Sequence, residues 1–227
     1  MVLAGKVFKL REPLTIAEIA HKLRGYRIEE EYVEEPHRFN LLTEVFNLNL
    51  INDELKGVYS KDVVLHIPRR GEVVPVVRTV EAPFMFTRRG NEVLLTVLGK
   101  KNKANFVANE LSKLLFIVVG GIVEARIPPE ALKQYHEQNP AETKVIFFDN
   151  VDIPNIDKLS LYGPDLKNTS LYNEYLSHGQ IWYVVASSRR YGYVVGITRN
   201  SVVTVFSRVN EHEFFNFVKN EVFQLIS

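Results

Sequence analysis

Paired arginines are the residues of this chain whose type and spacing most directly suggest a chemistry. The pairs stand at the ends of predicted strands, at Arg69-Arg70, Arg88-Arg89 and Arg189-Arg190. Further cations that we assign to the same set are Lys100, Lys101, Lys103 and Arg199. Cations along a sheet edge contact phosphates, and proteins that bend DNA through its minor groove add apolar wedges, a role that suits Phe86 beside Arg88. The pattern predicts binding of DNA or RNA, with charged and solvated hairpin turns as the alternative.

Carboxylates form two further clusters. The first is Glu29, Glu30, Glu31, Glu34 and Glu35, with His37 nearby. It would bind a cation or a basic partner, but no converging loop pattern is present, which favours a solvated loop or helix face. The second is Asp149, Asp152 and Asp157, which would hold magnesium in a metal-dependent hydrolase or nuclease. Clusters of Asp, Asn and Pro are also ordinary turn sequences, so we favour a turn here.

Sequence motifs for catalysis give no positive support for an enzyme. The chain has no Gly-x-Ser-x-Gly elbow, no phosphate-binding Gly-Lys-Ser/Thr loop, no Gly-x-Gly-x-x-Gly and no His-Glu-x-x-His. We therefore expect no catalytic residue, no cofactor and no bound metal.

The composition is that of a globular protein without a strong charge bias. Lys and Arg number 28 against 27 for Asp and Glu, so binding to an anionic partner depends on local patches. The absence of cysteine excludes disulfides and thiolate metal sites and favours a cytoplasmic location. We expect no signal peptide and no membrane segment. Abundant Ile, Val and charged residues favour a heat-adapted source.

One strand and helix organise the first half of the chain. Apolar residues from Val93 to Leu98 predict a strand that ends at Gly99. The helix that follows has a stripe at intervals of three and four residues, Ala104, Val107, Ala108, Leu111, Leu114 and Leu115. An earlier helix begins at a capping box of Thr15 and Glu18. Between these helices, alternating segments predict antiparallel strands: Phe39–Leu50, Val58–Ile67, Val73–Val80 and Pro83–Thr87.

The second half repeats this order of elements. A strand over Ile122–Ile127 precedes a helix that opens at Pro128-Pro129 and stops at Asn139-Pro140. Later segments predict a short helix near Tyr172 and a final helix from Glu211 to Ile226. We therefore predict an internal duplication, with halves at residues 1–119 and 120–227.

The first half resembles the TATA-binding-protein family in element order and in two motifs. Pro36-His37-Arg38-Phe39 is similar to that family's Asn-Pro-Lys-Arg-Phe entry into a strand. Residues 84–91, Phe-Met-Phe-Thr-Arg-Arg-Gly-Asn, followed by Leu94 to Lys100, are similar to its hairpin and the strand before a helix. The resemblance implies that Phe39 and Phe86 are the phenylalanines that wedge between DNA base steps. This chain departs from the family by an extra hairpin's worth of residues between Leu50 and Arg78.

The expected fold is α+β, with two similar β-α-β(n)-α halves that form a curved antiparallel sheet and long helices on one face. The expected function is non-enzymatic binding, with nucleic acid as the first candidate. The predicted nucleic-acid-binding residues are Phe39, Phe86, Arg88, Arg89, Lys100, Lys101, Arg189, Arg190 and Arg199. The second candidate is a protein-interaction or scaffold module that uses the same sheet or its edge strands.

Overall fold

The computed structural model describes residues 2–138 and 143–227. The chain divides into two compact units. The central unit is Lys9–Val123, and the terminal unit combines the chain up to Phe8 with Glu124–Ser227. Strand β1 (Leu3–Leu10) runs from the terminal unit into the central one.

The central unit is a meander of antiparallel strands with two helices. Its elements in chain order are α1 (Ile16–Leu23), β2 (Arg27–Glu34), β3 (His37–Ile51), β4 (Glu54–Arg69), β5 (Glu72–Arg89), β6 (Glu92–Leu98) and α2 (Lys101–Phe116). Each strand from β2 to β6 pairs with the next one along the chain. The sheet order is therefore β2-β3-β4-β5-β6.

Local sequence explains where both helices of this unit lie. The predicted capping box is confirmed: the Thr15 hydroxyl accepts from the backbone N–H of Glu18, and the Glu18 carboxylate accepts from the N–H of Thr15. Most of the predicted stripe of α2 is buried, from Ala104 through Leu111 to Leu115. Both helices pack on strands of the sheet. Their apolar stripes are therefore removed from water.

The terminal unit contains the remaining elements. They are β7 (Ile122–Glu124), which starts in the central unit, α3 (Pro129–Gln138), β8 (Thr143–Asp149), β9 (Leu159–Tyr162), α4 (Ser170–His178), β10 (Gln180–Ser187), β11 (Val194–Thr198), β12 (Val202–Val205) and α5 (Glu211–Phe217). The sheet order is β1-β12-β11-β10-β8-β9. The predicted helices at Pro129 and near Tyr172 are confirmed. The predicted helix stop at Asn139-Pro140 lies outside the described residues.

The prediction of an α+β fold with long helices on one face is wrong. Strands make up 46% of the structure and helices 27%, with twelve strands and five short helices among the described residues. β4 and β5 are 16 and 18 residues long, whereas α5 has seven residues before its hydrogen bonding changes to a π-helical turn at Val218–Val222. Residues 73–87, expected as two strands, are continuous in β5, because Glu81 and Ala82 between them pair with Ser60 and Tyr59 of β4. The internal duplication and the halves at residues 1–119 and 120–227 stay a prediction.

None of the helices in the described ranges is both long enough and apolar enough to cross a membrane.

Candidate functional site

Strands β4 and β5 extend beyond their neighbours as a two-stranded ribbon. β4 pairs with β3 as far as Lys61, and β5 pairs with β6 from Phe84 to Arg89. Residues 62–69 of β4 pair with residues 72–79 of β5, and we call this ribbon the arm. At roughly 3.3 Å per residue it is about 26 Å long. Within the described residues neither strand of the arm pairs with a third strand, so both of its edges present open backbone N–H and C=O groups.

The carboxylate of Asp62 fixes the root of the arm. One of its oxygens accepts a hydrogen bond from the Thr79 hydroxyl at 2.6 Å, and the other accepts from the backbone N–H of Leu42 at 3.1 Å. These bonds join β4, β5 and β3 at the point where the arm leaves the sheet. The arm therefore starts in a defined direction.

A cluster around Glu110 of α2 holds β4 next to this root. The Glu110 carboxylate accepts hydrogen bonds from the Tyr59 hydroxyl at 3.2 Å, the Lys61 ammonium at 2.5 Å and the Lys113 ammonium at 2.5 Å. Burial raises the pKa of Glu110, but the bonds from Lys113 and Lys61 outweigh it and leave the pKa below its ordinary value. Burial and the neighbouring carboxylate raise the pKa of Tyr59. The cluster thus keeps Glu110 ionised and ties α2 to β4.

The tip of the arm is a two-residue turn with exposed cations. Arg70 and Gly71 both have positive φ, 51° and 87°, between the paired residues Arg69 and Glu72. Positive φ at both central positions is the type I′ geometry that matches the twist of a hairpin. Arg69 and Arg70 are exposed, and neither has an ion pair in the described part of the chain.

Apolar side chains are exposed along both faces of the arm. They are Leu65 and Ile67 of β4 and Val73 and Val77 of β5. Ile67 is 45% exposed and Val73 is 63% exposed. The register places Leu65 and Ile67 on one face and Val73 and Val77 on the other, so each face carries a pair of exposed apolar side chains. The arm therefore combines apolar surface with open backbone edges.

The strand β2, which we call the acidic edge, ends the sheet order of the central unit. It pairs with β3 on one side, and no other strand of this unit pairs with it in the described ranges. Its carboxylates are Glu29, Glu30, Glu31 and Glu34, and its exposed apolar residues are Ile28 and Val33. Arg27 donates to Glu29 at 2.8 Å, and Arg38 lies 3.6 Å from Glu31. Two of the four carboxylates therefore have cations beside them.

The arm meets the acidic edge of the same chain through one polar contact. His66 Nε2 lies 2.8 Å from Glu34 Oε2, which also accepts from the Tyr32 hydroxyl at 2.7 Å. The bond from Tyr32, and after it the bond from His66, lower the pKa of Glu34. Glu34 is therefore ionised at neutral pH.

Of the two phenylalanines expected to wedge into DNA, Phe86 is not free to do so. Phe86 is 0% exposed and its ring packs edge-on against Phe84 at 5.6 Å. It pairs with Leu55, on the face of the sheet where the Tyr59 hydroxyl reaches α2. Phe39 is half-buried, and its ring stacks 6.3 Å from that of Tyr32. An intercalating side chain has to be exposed, and Phe86 is part of the core.

The predicted cations of the central unit lie at opposite ends of β6. Arg88 is exposed and its Nε donates to the Gly90 carbonyl at 3.0 Å, whereas Arg89 donates to Glu92 at 2.8 Å. Lys100 and Lys101 follow the other end of this seven-residue strand, roughly 23 Å away. Lys103 donates to the Glu81 carbonyl at 2.9 Å. The structure does not bring these residues together into one phosphate-binding surface.

The predicted cations of the terminal unit are separated in the same way. Arg189 and Arg190 are exposed in the turn between β10 and β11, and Arg190 lies 5.5 Å from the Tyr191 ring. Arg199 lies at the other end of β11 and binds both oxygens of Asp149, at 3.0 and 2.7 Å. This bidentate pair neutralises Arg199.

The three aspartates considered for a metal have separate surroundings. Asp149 binds Arg199, Asp152 lies 2.7 Å from His178 Nδ1, and Asp157 is exposed. In residues 2–138 and 143–227 no group of three His, Asp or Glu side chains is arranged to hold a metal ion.

The acidic edge was not expected to be a strand, and the arm was not expected to be a surface. Both left a signal. Doubled valines at positions 63–64, 73–74 and 76–77 place apolar residues on both faces of a strand, which a half-buried strand does not do. Tyr32 and Val33 inside the acidic run are residues that favour strands.

No family model matches this chain, and a search of curated proteins found no relative. The resemblance to the TATA-binding-protein family stays a prediction about two motifs, and it carries no fold assignment.

Proposed function

We propose that this is a non-enzymatic binding protein that engages a protein partner through the arm. The observation that carries the proposal is the exposure of Leu65, Ile67, Val73 and Val77 on a ribbon whose backbone edges are open. A partner strand that pairs with such an edge satisfies the open N–H and C=O groups and covers the apolar side chains. Covering apolar surface contributes roughly 25 cal/mol per Å².

The charges of the arm favour protein over nucleic acid. The arm carries Arg69, Arg70 and Arg78, together with the carboxylates of Asp62 and Glu72. Binding to a phosphate backbone depends on neutralising phosphates with Lys and Arg, and on the arm the two carboxylates offset two of the three arginines. The acidic edge, joined to the arm through Glu34 and His66, would repel a phosphate backbone. We place this function in the cytoplasm as part of the proposal, supported by a chain without cysteine.

Photo-cross-linking in an extract of the source cells tests the proposal. A photoreactive phenylalanine analogue replaces Ile67 on the arm, and the matched control carries it at Leu171 of α4, an exposed apolar position with 47% exposure. We expect arm-dependent adducts that protease removes and nuclease does not. In a second variant, Asn-Gly replaces residues 63–78 and the Asp62 to Thr79 junction is retained. Added as an unlabelled competitor, this variant is expected not to displace the labelled protein from the same partner.

Two results would contradict the proposal. Adducts at position 67 that nuclease removes would assign the arm to nucleic acid. Adducts no more abundant at position 67 than at position 171 would show that the arm is not a binding surface.

A further inference from the structure

We infer that the partner of the arm is a second copy of this chain, with the arm of each copy lying along the acidic edge of the other. The inference rests on the proposed function and adds the identity of the partner. It is carried by two surfaces of the central unit that complement each other in charge, in exposed apolar residues and in backbone groups.

Charge complementarity joins the tip of the arm to the acidic edge. Arg69 and Arg70 are exposed and have no ion pair among the residues that the structure describes. Glu30 on the acidic edge is likewise exposed and without an ion pair there. Within one copy the arm contacts this strand through His66 and Glu34, at one end of β2. A second copy supplies a cation for Glu30, whereas Glu29 and Glu31 have Arg27 and Arg38 beside them in their own chain.

The arm and the acidic edge also match in their exposed apolar residues and in their open backbone groups. Ile28 and Val33 are exposed on the acidic edge, at 42% and 49%. They would meet Ile67 or Val73 of an arm that lies alongside. The backbone edges of β2 and of the arm are both open, so a ribbon docked there continues the sheet. Eight residues on β2 match the eight residues in each strand of the arm.

The same charges disfavour the simpler arrangement, in which two acidic edges pair with each other. An antiparallel β2 to β2 pairing centred on Glu30 would set Glu29, Glu30 and Glu31 of one copy against carboxylates of the other. Like charges directly opposite one another in a sheet are destabilising. The carboxylates thus oppose pairing of this edge strand with another acidic strand. They favour pairing with a cationic ribbon.

Symmetry doubles the area of the contact. If each arm lies on the acidic edge of the other copy, a two-fold axis generates the contact twice. A standard interface buries about 800 Å² per partner, so each of the two contacts has to bury roughly 400 Å² on each copy. The arm is about 26 Å long, so its side chains as well as its backbone edge have to take part in the contact.

Sedimentation velocity of the purified full-length chain tests the inference. We expect a concentration-dependent dimer of the wild type that weakens as salt rises, because exposed charges are screened. The arm reversal (Arg69→Glu with Arg70→Glu) and the edge reversal (Glu30→Arg with Glu31→Arg) are each expected to weaken dimerisation about 100-fold. The protein that carries all four substitutions is expected to recover the dimer, because the complementarity is restored with opposite signs.

The matched control is Arg189→Glu with Arg190→Glu, another exposed arginine pair in a strand turn, and it is expected to leave dimerisation unchanged. Urea unfolding of every variant checks that the fold is retained, which is expected since all the substituted side chains are exposed. A wild type that is monomeric at all concentrations would overturn the inference, and cross-linking of position 67 to another protein would still support the proposed function. A dimer that neither reversal weakens, or that the combined variant does not recover, would also overturn it.

Discussion

Replacing Glu110 by Gln tests how much the cluster next to the root of the arm contributes to the free energy of unfolding. Three donors converge on this carboxylate, from Tyr59, Lys61 and Lys113. Breaking a buried ion pair by removing one partner costs about 3–5 kcal/mol. Lys61 and Lys113 keep 29% and 51% of their side-chain surface exposed, so water compensates part of the loss. We therefore expect Glu110→Gln to lower the free energy of unfolding by about 2 kcal/mol.

Urea unfolding at neutral pH measures this difference, with Tyr59→Phe as a matched control that removes one donor and costs about 1 kcal/mol. The pKa of Glu110 is lowered in the folded state from its ordinary value of 4.5. Its stabilisation is therefore complete above that value and is lost as the pH falls through the folded pKa. The gap between wild type and variant should narrow in acid. A variant within about 0.5 kcal/mol of the wild type at neutral pH, where surface substitutions commonly lie, would refute the reasoning.

The other predictions concern burial and capping. Phe86→Ala should lower the free energy of unfolding by about 3–5 kcal/mol in urea, because the ring is fully buried, and a loss below about 1 kcal/mol would contradict its place in the core. Burial lowers the pKa of His136 from 6.5 to about 4, so stability should fall by up to about 3 kcal/mol as the pH drops from 6.5 to 4. Thermal melts across that pH range check this prediction. If the stability of His136→Gln depends on pH to the same extent, another group causes the dependence. Thr15→Ala should cost about 1 kcal/mol in urea through loss of the α1 cap, and an unchanged midpoint would argue against the capping box.

Local signals in the sequence predicted the helices of the central unit well. The capping box of Thr15 and Glu18 and the stripe from Ala104 to Leu115 depend on residues three or four positions apart, and tertiary context does not change that spacing. The arm was predicted only as an extra hairpin's worth of residues between Leu50 and Arg78.

Properties that depend on long-range pairing were not predictable from the sequence. The alternation around Phe86 places it on one face of a strand but does not say which face the helices cover. The pairing of Arg199 with Asp149 joins residues 50 positions apart in the chain, so no local pattern marks Arg199 as neutralised. The acids of β2 were expected in a loop or helix, because strand propensity is weak for glutamate and the strand forms through its pairing with β3.

Hydrogen–deuterium exchange of the purified protein, measured in dilute and in concentrated solution, tests the central claim most directly. If the arm of one copy pairs with the acidic edge of another, the backbone amides of residues 27–34 and of the arm exchange more slowly in the concentrated sample, and those of α4 do not change. Equal exchange of these amides at both concentrations, in a sample that sediments as a dimer, would contradict the account.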